Sequence, residues 1–253
     1  MQKNTDSFFS SSNTISFLSE EDLNCRHHYI ELLDAIARTT YQSIYIIDYF
    51  TKKFEYATEN SLFLCGYSAQ EFMELGYEFY LKNTPEDELE LLLKINKVGF
   101  DFYEKIPFEE RKRYSISYDF HIVNQFGKKI LVNHQYTPLF LTKEGKIWKA
   151  ICVFSLSNNT CSGNIIIHKE QANRVWKYNM NSQKWIEEEK VSLTDREKEI
   201  LILSAQGYSI QEISEKLHIA PDTIKFHRKK LFEKIGVTNI SEAINFSTKN
   251  KLI

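Results

Sequence analysis

The sequence predicts an α+β protein: a five-stranded antiparallel sheet with short helices, followed by an all-α domain of four helices. Three observations predict it. Two β-rich runs near the start are followed by mixed helical sequence and then by three long runs of period two. From about 192 onward the apolar residues recur at helical spacing, in four pieces. The 253 residues suffice for two ordinary domains, and 42% hydrophobic with 26% charged residues marks a folded chain, neither disordered nor fibrous.

Residues 1–21 are rich in Ser, Asn and Thr and read as a mobile tail. From 22 to 40, Leu23, Ile30, Leu33, Ile36 and Ala37 recur as on an amphipathic helix. Ser43–Asp48 and Phe54–Thr58 are strands joined by the polar turn at 51–53, with Asp48 a turn residue. Ser68 and Glu71 have capping-box spacing, and Thr84-Pro85 places proline at the first position of a second helix, which carries Leu89, Leu92, Leu93 and Ile95. Ser115–Val123, Lys129–Tyr136 and Lys146–Leu156 are three antiparallel strands, with turns at Gly127 and Gly145. Residues 158–190 read as a packed linker. Within it, Ile165–Ile167 and Val175–Tyr178 are compatible with short strands, Trp176 and Trp185 need something to pack on, and Glu187–Glu189 reads as a solvated face.

The last block, 191–253, opens on the capping box Thr194 to Glu197, and Gly207 suits a left-handed helix end. Ser209 to Glu212 is a further capping box. Pro221 starts a third helix that runs to Gly236, and a fourth begins near Ser241. The net charge of −2 hides an asymmetry: residues 191–253 carry ten basic against eight acidic side chains, and 221–235 five against two. In a helix from 221, Ile224, Leu231 and Ile235 share an apolar face with Arg228, while Asp222, Lys225, Phe226 and Lys229 share another.

This block resembles the LuxR-type helix-turn-helix. The residues that carry the resemblance are Leu193-Thr-Asp-Arg-Glu197, Ala205-Gln-Gly207-Tyr-Ser209, Glu212-Ile213, Leu217, Pro221-Asp-Thr223-Ile-Lys225-Phe-His227 and Lys234-Ile-Gly236-Val. The resemblance implies that helix 221–235 enters the DNA major groove, with Lys225, Phe226 and Lys229 at base-reading positions. Arg228 and Lys230 flank that face and meet phosphates, and Thr223 offers a hydroxyl and an amide to a phosphate. His227 is read as a packed or capping residue. Ala220 stands where the family commonly has serine, which removes one cap or phosphate contact; Ser214 and Ile240 also depart from the common pattern.

Residues 22–157 resemble a PAS domain with an N-terminal helix, on Ile44-Tyr-Ile-Ile-Asp48, Phe54-Glu-Tyr-Ala-Thr58, Asn60, Gly66-Tyr67-Ser68 and Glu71, and on the order strand–strand–helices–three strands. The resemblance implies a sensory or dimerising role. It places a ligand pocket between sheet and helices, with Phe120, Tyr136, Trp148 and Phe154 as its candidate lining.

Other chemistries are disfavoured. The four cysteines (Cys25, Cys65, Cys152, Cys161) show no metal-ligand spacing, so no metal is expected. Asn24-Cys25-Arg26 looks like a flavin-linking motif but precedes the first strand, and His121 and His134 read as structural rather than haem-binding. No catalytic constellation stands out, so no enzyme is expected. No apolar run approaches the about 18–20 residues of a membrane span and no signal-peptide core is visible, which points to the cytoplasm. The resulting expectation is a homodimeric, sequence-specific transcription regulator that binds double-stranded DNA and takes a signal, such as a small molecule, at its PAS-like domain. Two alternatives stay open: a PAS-mediated protein-interaction module with weak or auxiliary DNA binding, and a small-molecule (autoinducer-like) receptor regulator.

Overall fold

The computed structural model describes residues 4–20, 29–250 and 252–253. The chain divides into two units, Met1–Glu188 and Glu189–Ile253. In the first, strands β1 (Ser43–Asp48), β2 (Lys53–Ala57), β3 (Tyr114–Val123), β4 (Lys129–Leu141), β5 (Ile147–Leu156), β6 (Gly163–Lys169), β7 (Arg174–Asn179) and β8 (Lys184–Glu189) form one sheet in the order β2-β1-β5-β4-β3-β6-β7-β8. The sheet therefore has eight strands rather than the expected five.

The three additional strands come from 158–190. Ile165 and Ile167 point inward from β6, which pairs antiparallel with β3 from Tyr114↔Lys169 to Ser117↔Ile166. β7 continues the ladder through Ile167↔Trp176. Trp176 and Trp185 pack on Phe102 with ring centroids 5.6 and 5.2 Å away. The Glu187–Glu189 run lies on β8 at the sheet edge, where charge discourages pairing with another chain.

Helices α1 (Tyr29–Ala37), α2 (Ala69–Leu75), α3 (Glu78–Asn83) and α4 (Glu86–Tyr103) complete the unit. The part of the entry helix expected over 21–28, with Asn24-Cys25-Arg26, lies outside the described residues. The Ser68–Glu71 capping box forms, and Asp48 Oδ1 accepts from the amides of Phe50 and Thr51 in the first turn. α4 begins one residue later than expected: Pro85 is extended (φ −52°, ψ 142°) and flanks the helix instead of opening it.

β1 is buried at every position because both faces are covered. Ile44 and Ile46 meet Leu33 of α1, whereas Tyr45 and Ile47 join the main core. On the α1 side, buried Lys149 bonds Glu55 at 2.5 Å and the Tyr29 hydroxyl at 3.0 Å, which closes α1 onto the sheet. Pro138 lies beyond Tyr136, the last β4 residue paired to β3, and the β4–β5 register shifts directly after it.

The expected mobile tail is docked over its described part. Residues 4–20 form two short 3-10 turns, and Phe8 and Asn13 are buried. Phe8 stacks on Tyr77 at 5.1 Å, while Asn13 donates to the Ile147 carbonyl (2.9 Å) and accepts from its amide (2.6 Å). One buried phenyl ring and one two-way backbone clamp outweigh the polar composition that suggested mobility.

The main core is dominated by aromatic rings and contains one buried histidine. Tyr45 sits between Tyr80 and His134, hydrogen-bonded to the hydroxyl of the first and to Nε2 of the second (2.7 Å). Burial pushes the His134 imidazole down to about 3, so it is neutral in the fold. His121 on β3 is half-buried, and its Nδ1 meets Glu88 Oε1 of α4 at 2.6 Å.

Stability should fall as the pH drops below about 6.5, because the unfolded chain takes up a proton that folded His134 refuses until near its depressed value. One such proton sets a slope of at most about 1.4 kcal/mol per pH unit. Urea titrations at pH 7 and pH 5 measure it. The loss should shrink in His134→Gln, and an equal loss in both proteins would contradict this origin. A second expectation concerns Gly145 (φ +79°), where an added Cβ would lie 2.6 Å from Phe108 Cδ2 and 2.9 Å from Arg111 Nη1. That guanidinium is buried and donates to the Gly145 carbonyl at 2.7 Å. Gly145→Ala should cost about 1–3 kcal/mol in a urea titration; an unchanged midpoint would contradict it.

Candidate functional site

The second unit contains α5 (Asp195–Ala205), α6 (Ile210–Leu217), α7 (Pro221–Ile235) and α8 (Ile240–Lys249). Both expected capping boxes form, Thr194 with Glu197 and Ser209 with Glu212. Gly207 has φ +88° just past α5, as a left-handed helix end requires. Ile200, Ile213 and Ile224 are fully buried where α5, α6 and α7 meet. Leu201, Leu231 and Ala243 fill a second junction that includes α8.

α7 is thus gripped on its apolar face. Lys234 near its end bonds Glu197 at the start of α5 at 2.9 Å. Burial alone would raise the Glu197 carboxyl, but the Thr194 amide and the Lys234 ammonium outweigh it and hold the group below its usual range. Arg228, expected on the flank, is half-buried with its guanidinium 5.8 Å from the Phe232 ring; burial lowers its pKa without discharging it.

The opposite face is open. The side chains of Lys225 and Lys229 are 61% and 79% exposed, and Phe226 is 53% exposed. Lys230 reaches back over the Phe226 ring at 4.6 Å. Thr223 is exposed, but its amide already donates to the Ala220 carbonyl (2.9 Å), so only the hydroxyl remains for a phosphate. Ala220 gives no side-chain cap.

Both exposed lysines of this face have acidic neighbours: Lys225 bonds Asp222 at 2.9 Å, and Lys229 lies 4.0 Å from Glu233. Sequence reasoning placed Asp222 on this face without giving it a role. The i,i+3 and i,i+4 spacings were the available signal.

The first unit holds a cavity of about 80 Å³ between α4 and the inner face of the sheet, closed on one side by Phe8. Of the four expected lining residues only Tyr136 is on its wall. Phe120 and Phe154 are 0% and 1% exposed and fill the ring-packed core, 6.0 Å apart. Trp148 packs against Phe140 and Lys149 instead, at the shifted register between β4 and β5. The cavity opens where Gly99 of α4 faces Ile116 without a side chain of its own. His134, Tyr80 and Tyr103, which sequence reasoning left out, line it. Among the described residues no cluster of His, Cys, Asp and Glu could hold a metal, and no helix is long and apolar enough to cross a membrane.

Residues 191–247 match the family model of bacterial regulatory proteins, luxR family. The response regulator protein VraR of Staphylococcus aureus is 41% identical over 61 residues, which are 24% of this chain and 29% of VraR. The chain thus spans under a third of the length of the curated relatives it matches. Among solved structures, a Vibrio cholerae VqmA–ligand–DNA complex is 16% identical over 89% of both chains with a TM-score of 0.35. The response regulator ChrA of a heme-sensing two component system is 35% identical over 26% of this chain and 33% of its own, with a TM-score of 0.25. The family match falls on the helices whose packing exposes Lys225, Phe226 and Lys229: the carboxy-terminal unit is a domain of the luxR family of bacterial regulatory proteins.

Proposed function

We propose that this chain is a sequence-specific transcription regulator that binds double-stranded DNA as a homodimer, with α7 in the major groove and the amino-terminal unit as its PAS-like sensory part. The observation that carries the reading is the division of α7 into two faces within a luxR-family domain. Ile224, Leu231 and Ile235 are buried on one side; Lys225, Phe226 and Lys229 are exposed on the other.

Lysines at the groove face donate to guanine O6 and N7, and the Phe226 ring contacts thymine methyls. Lys230, Arg228 and the Thr223 hydroxyl hold phosphates and so fix register rather than sequence. Two copies place their α7 helices about 34 Å apart on a two-fold site. By family resemblance α8 is the contact between the two DNA-binding domains. A signal at the amino-terminal unit changes how the pair is presented to DNA, and linkage requires that DNA change the affinity for the signal by the same factor.

The double substitution Lys225→Ala/Lys229→Ala should weaken binding to a selected site by roughly 1–3 kcal/mol per lysine and narrow the gap between selected and random DNA. Titration of labelled duplexes at fixed salt measures this, and equal binding by both proteins would sink the assignment. Asp222→Asn releases Lys225 from its ion pair. It should tighten binding to any duplex several-fold at low salt, with a salt slope steeper by about one counterion. An unchanged slope would mean that the Asp222 ion pair does not compete with DNA.

A further inference from the structure

Two hairpins of the amino-terminal sheet share one turn geometry and differ at the tip. The Asn124 amide donates to the Lys128 carbonyl (3.0 Å), and the Asn124 carbonyl accepts from the Gly127 amide (2.9 Å). Thr142 makes the same two bonds, with Lys146 (2.9 Å) and Gly145 (2.9 Å). In each turn a side-chain oxygen of the first residue accepts from the amide four residues on, and the glycine has positive φ, +72° and +79°. Both are three-residue loops closed by a left-handed glycine. The residue before that glycine is Glu144 in the β4–β5 turn and Phe126 in the β3–β4 turn. The turn itself therefore does not call for an aromatic ring.

Phe126 is nevertheless 83% exposed on a well-held backbone. Asn124 Oδ1 also accepts from the Phe126 amide at 3.0 Å, and Gly66 leaves room for the Gln125 side chain beside it. A single exposed apolar residue is ordinary on a protein surface. The charge around this one sets it apart. Lys128 and Lys129 follow it, both are exposed, and among the described residues neither has an ion pair. Residues 124–129 hold no acid. In the other hairpin the tip carries Glu144, and Lys146 pairs with Glu104 at 3.5 Å.

An apolar wedge beside two uncompensated ammonium groups matches a polyanion with an apolar interior. Duplex DNA is such a partner: lysines displace counterions from its phosphates, and a phenyl ring enters between base steps from the minor groove. The luxR-family domain on the same chain favours DNA over an anionic lipid surface.

We propose that the β3–β4 hairpin is a second DNA contact of this chain, separate from α7, with Phe126 wedged into the minor groove and Lys128 and Lys129 on the phosphates beside it. The inference rests on the DNA-binding reading of the carboxy-terminal unit and adds a surface of the amino-terminal unit to it.

The test titrates the full chain against the selected site with long flanks, over a range of salt. Lys128→Ala/Lys129→Ala should weaken binding several-fold and flatten the salt dependence by about two counterions. Phe126→Ala should weaken it several-fold at an unchanged salt slope, and should reduce the bend read by energy transfer between the duplex ends. These positions are exposed and Asn124 and Gly127 stay in place, so the urea midpoints should not move. Unchanged affinity and slope in the lysine variant overturn the contact, and an unchanged bend in Phe126→Ala overturns the wedge. Vesicles of equal parts phosphatidylglycerol and phosphatidylcholine are the second probe. Vesicle binding that is lost in Phe126→Ala, with DNA affinity unchanged, overturns DNA as the partner. The same substitutions made in the Lys225→Ala/Lys229→Ala chain, on random duplex, separate the two readings. A further several-fold loss there supports the hairpin whatever α7 reads, and no such loss counts against the hairpin while the α7 assignment stands.

Discussion

α7 can bury only one of its faces, and that constraint decides which side chains the carboxy-terminal unit presents to solvent. Ile224, Leu231 and Ile235 recur at intervals that return to one side of a helix, and α5, α6 and α8 cover that side. The rotation of α7 about its axis is thereby set, and the side chains at 222, 225, 226 and 229 are left outward. The Lys234–Glu197 bond adds a clamp between the last turn of α7 and the first of α5. For the proposed function this rigidity matters, because base readout depends on donors held to within a fraction of an ångström, and packed helices hold them better than loops do. The acidic residues on the open face moderate an otherwise basic surface. Asp222 also favours the helix start, as an acid in the first turn of a helix does.

The amino-terminal unit solves a different problem. Its core is rich in tyrosine, and each buried hydroxyl needs a partner or remains a cost. Tyr45, Tyr80 and His134 satisfy one another in a chain, while Tyr103 and the second nitrogen of His134 do not. Desolvation keeps the imidazole neutral, so the region carries polarity without charge. Such a core is more responsive than a purely aliphatic one, because a single added donor or acceptor changes which groups are paired.

Local signals were the legible ones. The capping boxes at Ser68, Thr194 and Ser209 form because donor and acceptor lie three residues apart, and the two faces of α7 follow from helical spacing alone. What the sequence hid depends on distant partners. Residues 165–167 and 175–178 were compatible with short strands, but their place in the sheet, and β8 with them, depends on the free edge that β3 offers and on the surface that Phe102 offers to Trp176 and Trp185. Phe8 looked like one apolar residue in a polar tail; its partners Tyr77 and Tyr80 lie about seventy residues away. The resemblance put Phe120 and Phe154 on a pocket wall, and both are buried, but in the packed core. It could not say that rings would fill the centre of the sheet while space remained under Gly99, nor that a register shift would carry Trp148 elsewhere.

In the proposed function α7 reads base edges in the major groove. Selection of duplexes from a random pool by the full chain, followed by methylation interference on the enriched sequence, tests this most directly. The expected result is an enriched site whose binding is blocked by methyl groups at guanine N7, which lies in the major groove. Failure to enrich any sequence at physiological salt, or interference confined to adenine N3 in the minor groove, would contradict it.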